Sequence, residues 1–300
     1  MRDQDVPGYI EQLGIPGIVD AHAHFMPDAL LKRIWTYFDQ AGPLLGRQWP
    51  IRYKWTQEAR VAHLRDMGVV GFTCLSYAHR PGMAEWLTDW GLEFAAETLP
   101  HGEEVPPGAI ASGTFFPEPG VDAYVASALD RGCRVFKIHL QVGDFDPLDS
   151  TLVPVWGQLA DAGVPVVVHA GSGPMPGRFT GAARFGEVLT AHPGLRAIIA
   201  HMGMPDERDF FELLDEFPEL MLDTTMVGTD FMESIHPFDV GLLPRIRDLG
   251  LSGRVLFGSD YPNIPYPYAH QVEVLRRWDL GDEWLAAVLW GNGAAIFGVS

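Results

Sequence analysis

Short apolar runs recur along this chain, and each is followed by a stretch whose apolar residues have helical spacing. Apolar runs of this length, alternating with helices, are typical of parallel strands buried on both faces. The predicted strands are residues 17–24, 69–76, 109–116, 133–140, 164–170, 195–201, 220–225 and 254–260. Between them the spacing predicts helices that include residues 56–68, 82–99, 120–132 and 150–163. Eight strand–helix units predict an α/β protein with a closed (β/α)8 TIM barrel rather than an open sheet.

The main insertion in this alternation is the segment QAGPLLGRQWPIRYKW, residues 40–55, which comes after the first strand. Such a segment could fold over the mouth of the barrel as a lid, or could be a surface segment with no role in the site. No linker or low-complexity stretch interrupts the chain. We therefore predict a single barrel domain over residues 1–300, with this short insertion after the first strand.

The charge of the chain narrows the classes of partner. Asp and Glu number 39 against 21 Lys and Arg, giving a net charge of −18, which disfavours nucleic acid and anionic membranes. No apolar run reaches the length of a membrane span, and residues 1–14 lack the apolar core of a secretory signal. Cys74 and Cys133 lie in apolar segments and are predicted to be buried free thiols. We expect a cytoplasmic protein, able to form a homo-oligomer, that acts on a small molecule.

The first strand carries the earliest candidate chemistry, in the stretch IVDAHAHFMP. Asp20, His22 and His24 stand at alternate positions, and alternate residues of a strand point the same way. The two imidazoles would then be roughly 6–7 Å apart along the backbone, close enough to converge on one metal ion. Two histidines in this spacing are a weak signal alone, since an ordinary strand end can carry them.

Other predicted strands carry further polar residues where they end. Lys137 and His139 lie on the fourth, His169 on the fifth, His201 on the sixth and Asp260 on the eighth. Barrel enzymes build their active sites at this end of the strands. Isolated polar groups in apolar runs would be costly, so this clustering predicts a metal site rather than several unrelated core histidines.

The motifs that carry these residues resemble those of the amidohydrolase superfamily: DAHAH, VVVHAG, IIAHMG and LFGSDYP. Within it they resemble the amidohydrolase-related group of aminocarboxymuconate-semialdehyde decarboxylase and related metal-dependent hydrolases. The C-terminal GNGAAIFG is similar to that group's last segment, with Gly293 in addition. The likeness spans residues 17–298.

The resemblance implies a set of residue roles. His22, His24, His169 and Asp260 would hold one divalent metal, Zn²⁺ first and Mn²⁺ second, with Asp20 as support. His201 would stand beside the metal as an acid and base. Asp260 would in addition accept a proton during the reaction.

Lys137 has three interpretations. In some amidohydrolases the lysine of this strand is carboxylated and bridges a second metal; it could also contact substrate or be structural. His139 is predicted to contact substrate or to cap its loop. Tyr77, His79 and Arg80 follow the second strand and are weaker candidates for substrate contacts, because solvated loop residues are at least as common.

Hydrolysis is the leading hypothesis for the reaction: a metal-activated water would cleave an ester, lactone or amide. Asp260 would accept the proton of that water, and His201 would polarise the substrate oxygen or pass the proton on. The alternative is a lyase that decarboxylates a carboxylated aromatic or muconate-like substrate without oxidation. Arg80 would then hold the departing carboxylate. A barrel that only binds a ligand is disfavoured, because no ligand position is missing.

Overall fold

The structure, a computed structural model, describes residues 1–98 and 108–300, which divide into two units. The first unit comprises Met1–Thr73, Thr98–Ala109 and Thr224–Ser300. The second comprises Cys74–Glu97 and Ile110–Asp223. Each unit contains parallel strands followed by helices, as the pattern of apolar runs predicts.

All the predicted strands are present in the described residues, although most are shorter than expected. They are β1 (Ile18–Asp20), β2 (Val69–Thr73), β3 (Gly108–Ile110), β4 (Ser112–Thr114), β5 (Val135–His139), β6 (Val166–His169), β7 (Ala197–Ile199), β8 (Met221–Asp223) and β9 (Val255–Leu256). The predicted third strand is divided into β3 and β4 at Ala111. This break accounts for nine strands where eight were expected.

The predicted helices 56–68, 82–99, 120–132 and 150–163 correspond to α4 (Gln57–Asp66), α5 (Ala84–Thr98), α6 (Val121–Asp130) and α8 (Val153–Ala162). Residue 99 lies outside the described residues. Gly163 ends α8 with φ 63°, a left-handed conformation that a residue without Cβ adopts without strain. The α-helices of the described residues are α1 (Val6–Leu13), α2 (Asp28–Gln40), α3 (Gly42–Leu45), α4 (Gln57–Asp66), α5 (Ala84–Thr98), α6 (Val121–Asp130), α7 (Leu140–Gly143), α8 (Val153–Ala162), α9 (Ala182–Ala191), α10 (Glu207–Glu216), α11 (Asp230–Glu233), α12 (Leu243–Leu251), α13 (Tyr268–Arg277), α14 (Asp282–Ala286) and α15 (Asn292–Phe297).

In the first unit, β1 lies between β2 and the segment that follows β9. β1 pairs in parallel with β2, with Asp20 opposite Phe72. On its other side, Ala21 N donates to Phe257 O at 2.8 Å. The predicted strand 17–24 is therefore too long: the regular ladder ends at Asp20. Beyond it the backbone bonds to the turn after β9, so the residues that leave β1 and β9 continue side by side.

In the second unit, β4 to β8 form a parallel sheet in chain order. All residues of β5 and β6 are buried, as expected of strands covered on both faces. The register sets Lys137 opposite Val167 and His139 opposite His169. Two of the predicted site histidines are thus neighbours across adjacent strands.

The insertion at 40–55 is anchored within the first unit by buried contacts. Trp49 Nε1 donates to Asn263 O at 2.7 Å, and Arg52 N donates to Ile264 O at 3.2 Å. The Trp49 side chain is buried, and its ring packs edge-on against Phe231 with centroids 4.9 Å apart. The insertion therefore packs on the segment that follows Asp260. Its action as a lid stays a prediction.

Two further expectations concern cysteines and membranes. Cys74 and Cys133 are buried free thiols, as predicted, and burial raises their pKa values to about 11 and about 12. Among residues 1–98 and 108–300, no helix has both the length and the apolar character needed to cross a membrane.

Two helical glycines of the second unit make a matched pair for a test of packing. A Cβ on Gly91 in α5 would lie 2.3 Å from Ser112 O, whereas a Cβ on Gly157 in α8 would meet nothing within 4 Å. We expect Gly91→Ala to lower the free energy of unfolding by about 1–3 kcal/mol, since backbone cannot yield easily. Gly157→Ala should raise it by about 0.4–1 kcal/mol, because alanine restricts the unfolded chain. Urea unfolding measures both; equal effects would contradict the close approach of α5 to β4.

Candidate metal centre

Three predicted ligands converge in the first unit. Ligand atoms of His22, His24 and Asp260 all lie within 4.8 Å of one another. His24 Nε2 is 2.9 Å and His22 Nε2 is 3.8 Å from Asp260 Oδ1. Ligands bound at about 2.1 Å from one ion lie about 3–4 Å apart. Two imidazoles and a carboxylate at this spacing suit a divalent ion such as Zn²⁺ or Mn²⁺.

Backbone hydrogen bonds bring these residues together beyond the strand ends. His24 N donates to Tyr261 O at 2.6 Å, and Asp260 N donates to His22 O at 2.8 Å. Asp260 has φ 65°, in the left-handed region that non-glycine residues seldom occupy. Ser259 Oγ accepts the Tyr261 N–H at 3.0 Å and so closes the turn around Asp260. Such a conformation costs energy and is kept where the surroundings fix it.

Asp20 is the common acceptor behind these ligands. Its fully buried carboxylate accepts hydrogen bonds from His22 N at 3.1 Å, Ser259 N at 3.2 Å, Ser259 Oγ at 2.5 Å and Tyr268 OH at 3.1 Å. Burial raises the pKa of Asp20 to about 6, and the hydrogen bonds from Ser259, His22 and Tyr268 oppose that shift. The same carboxylate therefore holds the segment of His22 and the residue before Asp260.

The second unit brings together four of the other candidates. The rings of His139 and His169 stack with centroids 3.8 Å apart and an interplanar angle of 10°. His201 meets His169 edge-on at 4.8 Å, and Tyr77 contacts His139 at 5.0 Å. These four residues, which we call the imidazole cluster, gather side chains from β5, β6 and the segments after β2 and β7. Sequence reasoning named all four.

His169 has the hydrogen bond expected of a metal-binding imidazole. Its Nε2 lies 2.7 Å from Gly173 O. A ring nitrogen that faces a carbonyl oxygen must donate, so the neutral ring carries its lone pair on Nδ1. Metal-ligating histidines usually donate their other N–H to a carbonyl or a carboxylate in this way.

His201 is held by its backbone. Its φ is 56° and that of Met202 is 52°, so two consecutive residues are left-handed. His201 N donates to Asp223 Oδ1 at 2.9 Å, which ties the turn to the end of β8. Asp223 had no predicted role, although its place at a strand end was visible in the sequence.

The remaining candidates differ in exposure. Lys137 is 1% exposed within β5, and Thr114 Oγ1 donates to its carbonyl at 2.7 Å. Its three interpretations stay open. Tyr77 is half-buried against His139, whereas His79 and Arg80 are exposed in the turn that follows. Substrate contacts by His79 and Arg80 stay predictions.

Ser259 and Tyr268 are the supporting residues that sequence reasoning missed. Ser259 stands next to Asp260 in the GSD motif, which was a usable signal. Tyr268 lies 248 positions from Asp20, and nothing local in the sequence points to its contact.

Almost the whole chain is similar to known proteins in sequence pattern and in fold. A family model described as amidohydrolase matches residues 19–299. No curated protein sequence matches the chain. Among solved structures, an uncharacterized TIM-barrel protein from Bordetella bronchiseptica is similar, with a TM-score of 0.73 and 18% identity over 94% of this chain and 98% of the other.

Two similar structures have named activities. The 5-carboxyvanillate decarboxylase of Novosphingobium aromaticivorans, complexed with manganese and 4-hydroxy-3-methoxy-5-nitrobenzoic acid, has a TM-score of 0.62 and 14% identity over 96% of this chain and 97% of that one. The dihydroorotase of Campylobacter jejuni has a TM-score of 0.58 and 15% identity over 95% and 84%, respectively. At these identities the likeness shows the fold alone. The predicted α/β fold, a (β/α)8 TIM barrel, is confirmed.

Removal of the Asp20 carboxylate provides a test of its supporting role. In Asp20→Ala, the buried hydroxyls of Ser259 and Tyr268 lose their acceptor, so the free energy of unfolding should fall by about 1–3 kcal/mol. Urea unfolding of the chelator-treated protein measures this. The control Asp66→Ala, at an exposed position of α4, should change stability by less than about 0.5 kcal/mol. Equal stability of Asp20→Ala and wild type would show that these hydrogen bonds contribute nothing.

Proposed function

Since this chain belongs to the amidohydrolase family, we propose that it is a metal-dependent enzyme that acts on a small molecule. The observation that carries the proposal is the convergence of His22, His24 and Asp260 ligand atoms within 4.8 Å. The net charge of −18 supports a small-molecule substrate rather than nucleic acid or an anionic membrane.

We propose His169 as the further ligand, a role that the resemblance of its VVVHAG motif to the amidohydrolases implies. Its Nε2–H is directed at Gly173 O, which leaves the lone pair on Nδ1, the form in which an imidazole binds metal. Three imidazoles and one carboxylate make a set suited to Zn²⁺, with Mn²⁺ as the second choice. Mn²⁺ is the ion in the similar 5-carboxyvanillate decarboxylase.

A bound divalent ion would polarise a substrate oxygen and lower the pKa of water at the site. Asp260 keeps 14% of its side chain exposed, against 1% for His22 and 5% for His24. Its carboxylate is thus the proposed ligand of the first unit that is best placed to accept a proton. His201, fixed by Asp223, would hold a proton on its imidazole and deliver it to the leaving atom of the substrate.

Hydrolysis of an ester, lactone or amide is the reaction we propose, because these groups supply a proton acceptor and a proton donor. Decarboxylation of a carboxylated aromatic or muconate-like substrate is the second candidate. It needs a cation to hold the departing carboxylate; Arg80 is exposed, whereas the Lys137 side chain is buried two residues before His139 on β5 and would supply that cation in its protonated form. That placement favours Lys137 over Arg80 for this role.

Two variants distinguish the metal-ligand role of His22 from the proton-transfer role of His201. We expect His22→Ala to lower metal content from about one ion per chain towards none, because a ligand is lost. His201→Ala should keep its metal and lose about 10²–10⁴-fold in turnover, because only proton transfer is removed. Plasma mass spectrometry and a screen of lactones, esters, amides and carboxylated aromatics measure the two effects.

His192→Ala, at a half-buried histidine that follows α9, is the control and should change neither quantity. Normal turnover by His201→Ala would contradict its assignment as acid and base. Full metal content in His22→Ala would contradict the site itself.

Metal stoichiometry tests Lys137. One ion per chain supports a mononuclear site. Two ions per chain, falling to one in Lys137→Gln, would establish the carboxylated bridge and favour hydrolysis. The released product then decides the reaction: a new acid from a lactone or ester indicates hydrolysis, and CO₂ from a carboxylated aromatic indicates decarboxylation.

A further inference from the structure

A chain of hydrogen bonds connects the turn at Asp3–Asp5 to Asp20, the carboxylate behind the candidate metal centre. Tyr53 OH donates to Asp3 Oδ2 at 2.6 Å, and Tyr268 N donates to the Tyr53 oxygen at 2.7 Å. Tyr268 OH then donates to Asp20 Oδ2 at 3.1 Å. All four residues lie in the first unit, and the two tyrosines and Asp20 are buried. We call these four residues the tyrosine relay.

Asp3 anchors the outer end of the relay as a charged acceptor. Besides Tyr53, it faces His63 Nε2 at 3.1 Å and accepts Ala269 N–H at 2.9 Å. Burial alone would raise the pKa of Asp3, but the hydrogen bonds from His63, Tyr53 and Ala269 together hold it below its ordinary value. A carboxylate acceptor makes each of these bonds stronger than a neutral one would. Asp3 therefore fixes the insertion, α4 and the start of α13 at one point.

Tyr268 links the hydrogen bonds around Asp3 to the candidate metal centre. It is the first residue of α13, where backbone N–H groups have no partner within the helix. The Tyr53 oxygen accepts a hydrogen bond from the Tyr268 N–H, so the position of the helix start depends on Tyr53. The phenol of the same residue takes part in holding Asp20, which bonds to His22 N and to both N and Oγ of Ser259.

We propose that Asp3, Tyr53 and Tyr268 are positioning residues of the metal centre and set its affinity for a divalent ion through Asp20. The proposal rests on the metal site of the proposed function. Loss of hydrogen-bonding partners that orient metal ligands typically weakens metal binding by about 10–100-fold. Here the effect would come from residues other than the proposed ligands, one of them in the turn Asp3–Asp5.

The test measures the dissociation constant for Zn²⁺ by competition with a chromophoric chelator. Tyr268→Phe keeps the ring and removes the bond to Asp20, and should weaken Zn²⁺ binding about 10–100-fold. Asp3→Asn should weaken it by about tenfold through the same relay. Asp5→Asn is the matched control, because Asp5 lies in the same turn and its carboxylate, among residues 1–98 and 108–300, accepts hydrogen bonds from Arg2 alone. It should bind Zn²⁺ as the wild type does.

A double variant separates the relay from general support of the fold. If Asp3 acts through Tyr53, Asp3→Asn should have no further effect on the Zn²⁺ dissociation constant in a Tyr53→Phe background. A full and independent effect of Asp3→Asn in that background would overturn the relay, as would wild-type affinity in Tyr268→Phe. These results differ from failure of the metal site itself, in which wild type and His22→Ala would bind Zn²⁺ equally weakly.

Discussion

A single buried carboxylate, that of Asp20, is the constraint on which the candidate metal centre depends. A carboxylate removed from water is costly unless donors replace its hydration. Here the donors are His22 N just after β1, Ser259 Oγ in the turn after β9 and Tyr268 OH at the start of α13. Meeting that requirement forces these three segments together. His22 supplies one of these N–H groups itself, and Asp260 directly follows Ser259, so the separation of the two side chains follows from these bonds.

The three converging candidate ligands, His22, His24 and Asp260, lie outside the strands, in the segments that follow β1 and β9. Within a strand, the pairing of the sheet fixes the distance between residues. Outside the strands, the ligand atoms of His22, His24 and Asp260 come within 4.8 Å of one another. Asp260 and His201 both have left-handed backbones, at φ 65° and 56°. The hydrogen bonds of Ser259 and Asp223 hold the turns in which these residues stand. Strain of this kind is characteristic of sites that are positioned for a function.

Local signals in the sequence predicted the strands and named the residues that the structure brings together in each unit. Apolar runs located all the strands, and the register of β5 and β6 made neighbours of His139 and His169, two of the predicted strand-end histidines. The predicted length of the first strand was wrong. The alternation of residue types continues past Asp20 in the sequence, whereas the strand pairing ends at Asp20. Tyr268 could not be predicted, since its contact with Asp20 joins residues 248 positions apart.

The ligands alone do not decide between hydrolysis and decarboxylation, since fold and metal site are shared by enzymes of different activity. Hydrolysis requires a proton acceptor beside water and a donor at the leaving atom, roles that suit Asp260 and His201. Decarboxylation requires a cation for the carboxylate and a proton delivered to carbon. Lys137 is buried on the strand that also supplies His139 to the imidazole cluster. In the proposal, a protonated Lys137 that contacts substrate would suit decarboxylation and a carboxylated bridge would suit hydrolysis, whereas a structural Lys137 would favour neither reaction.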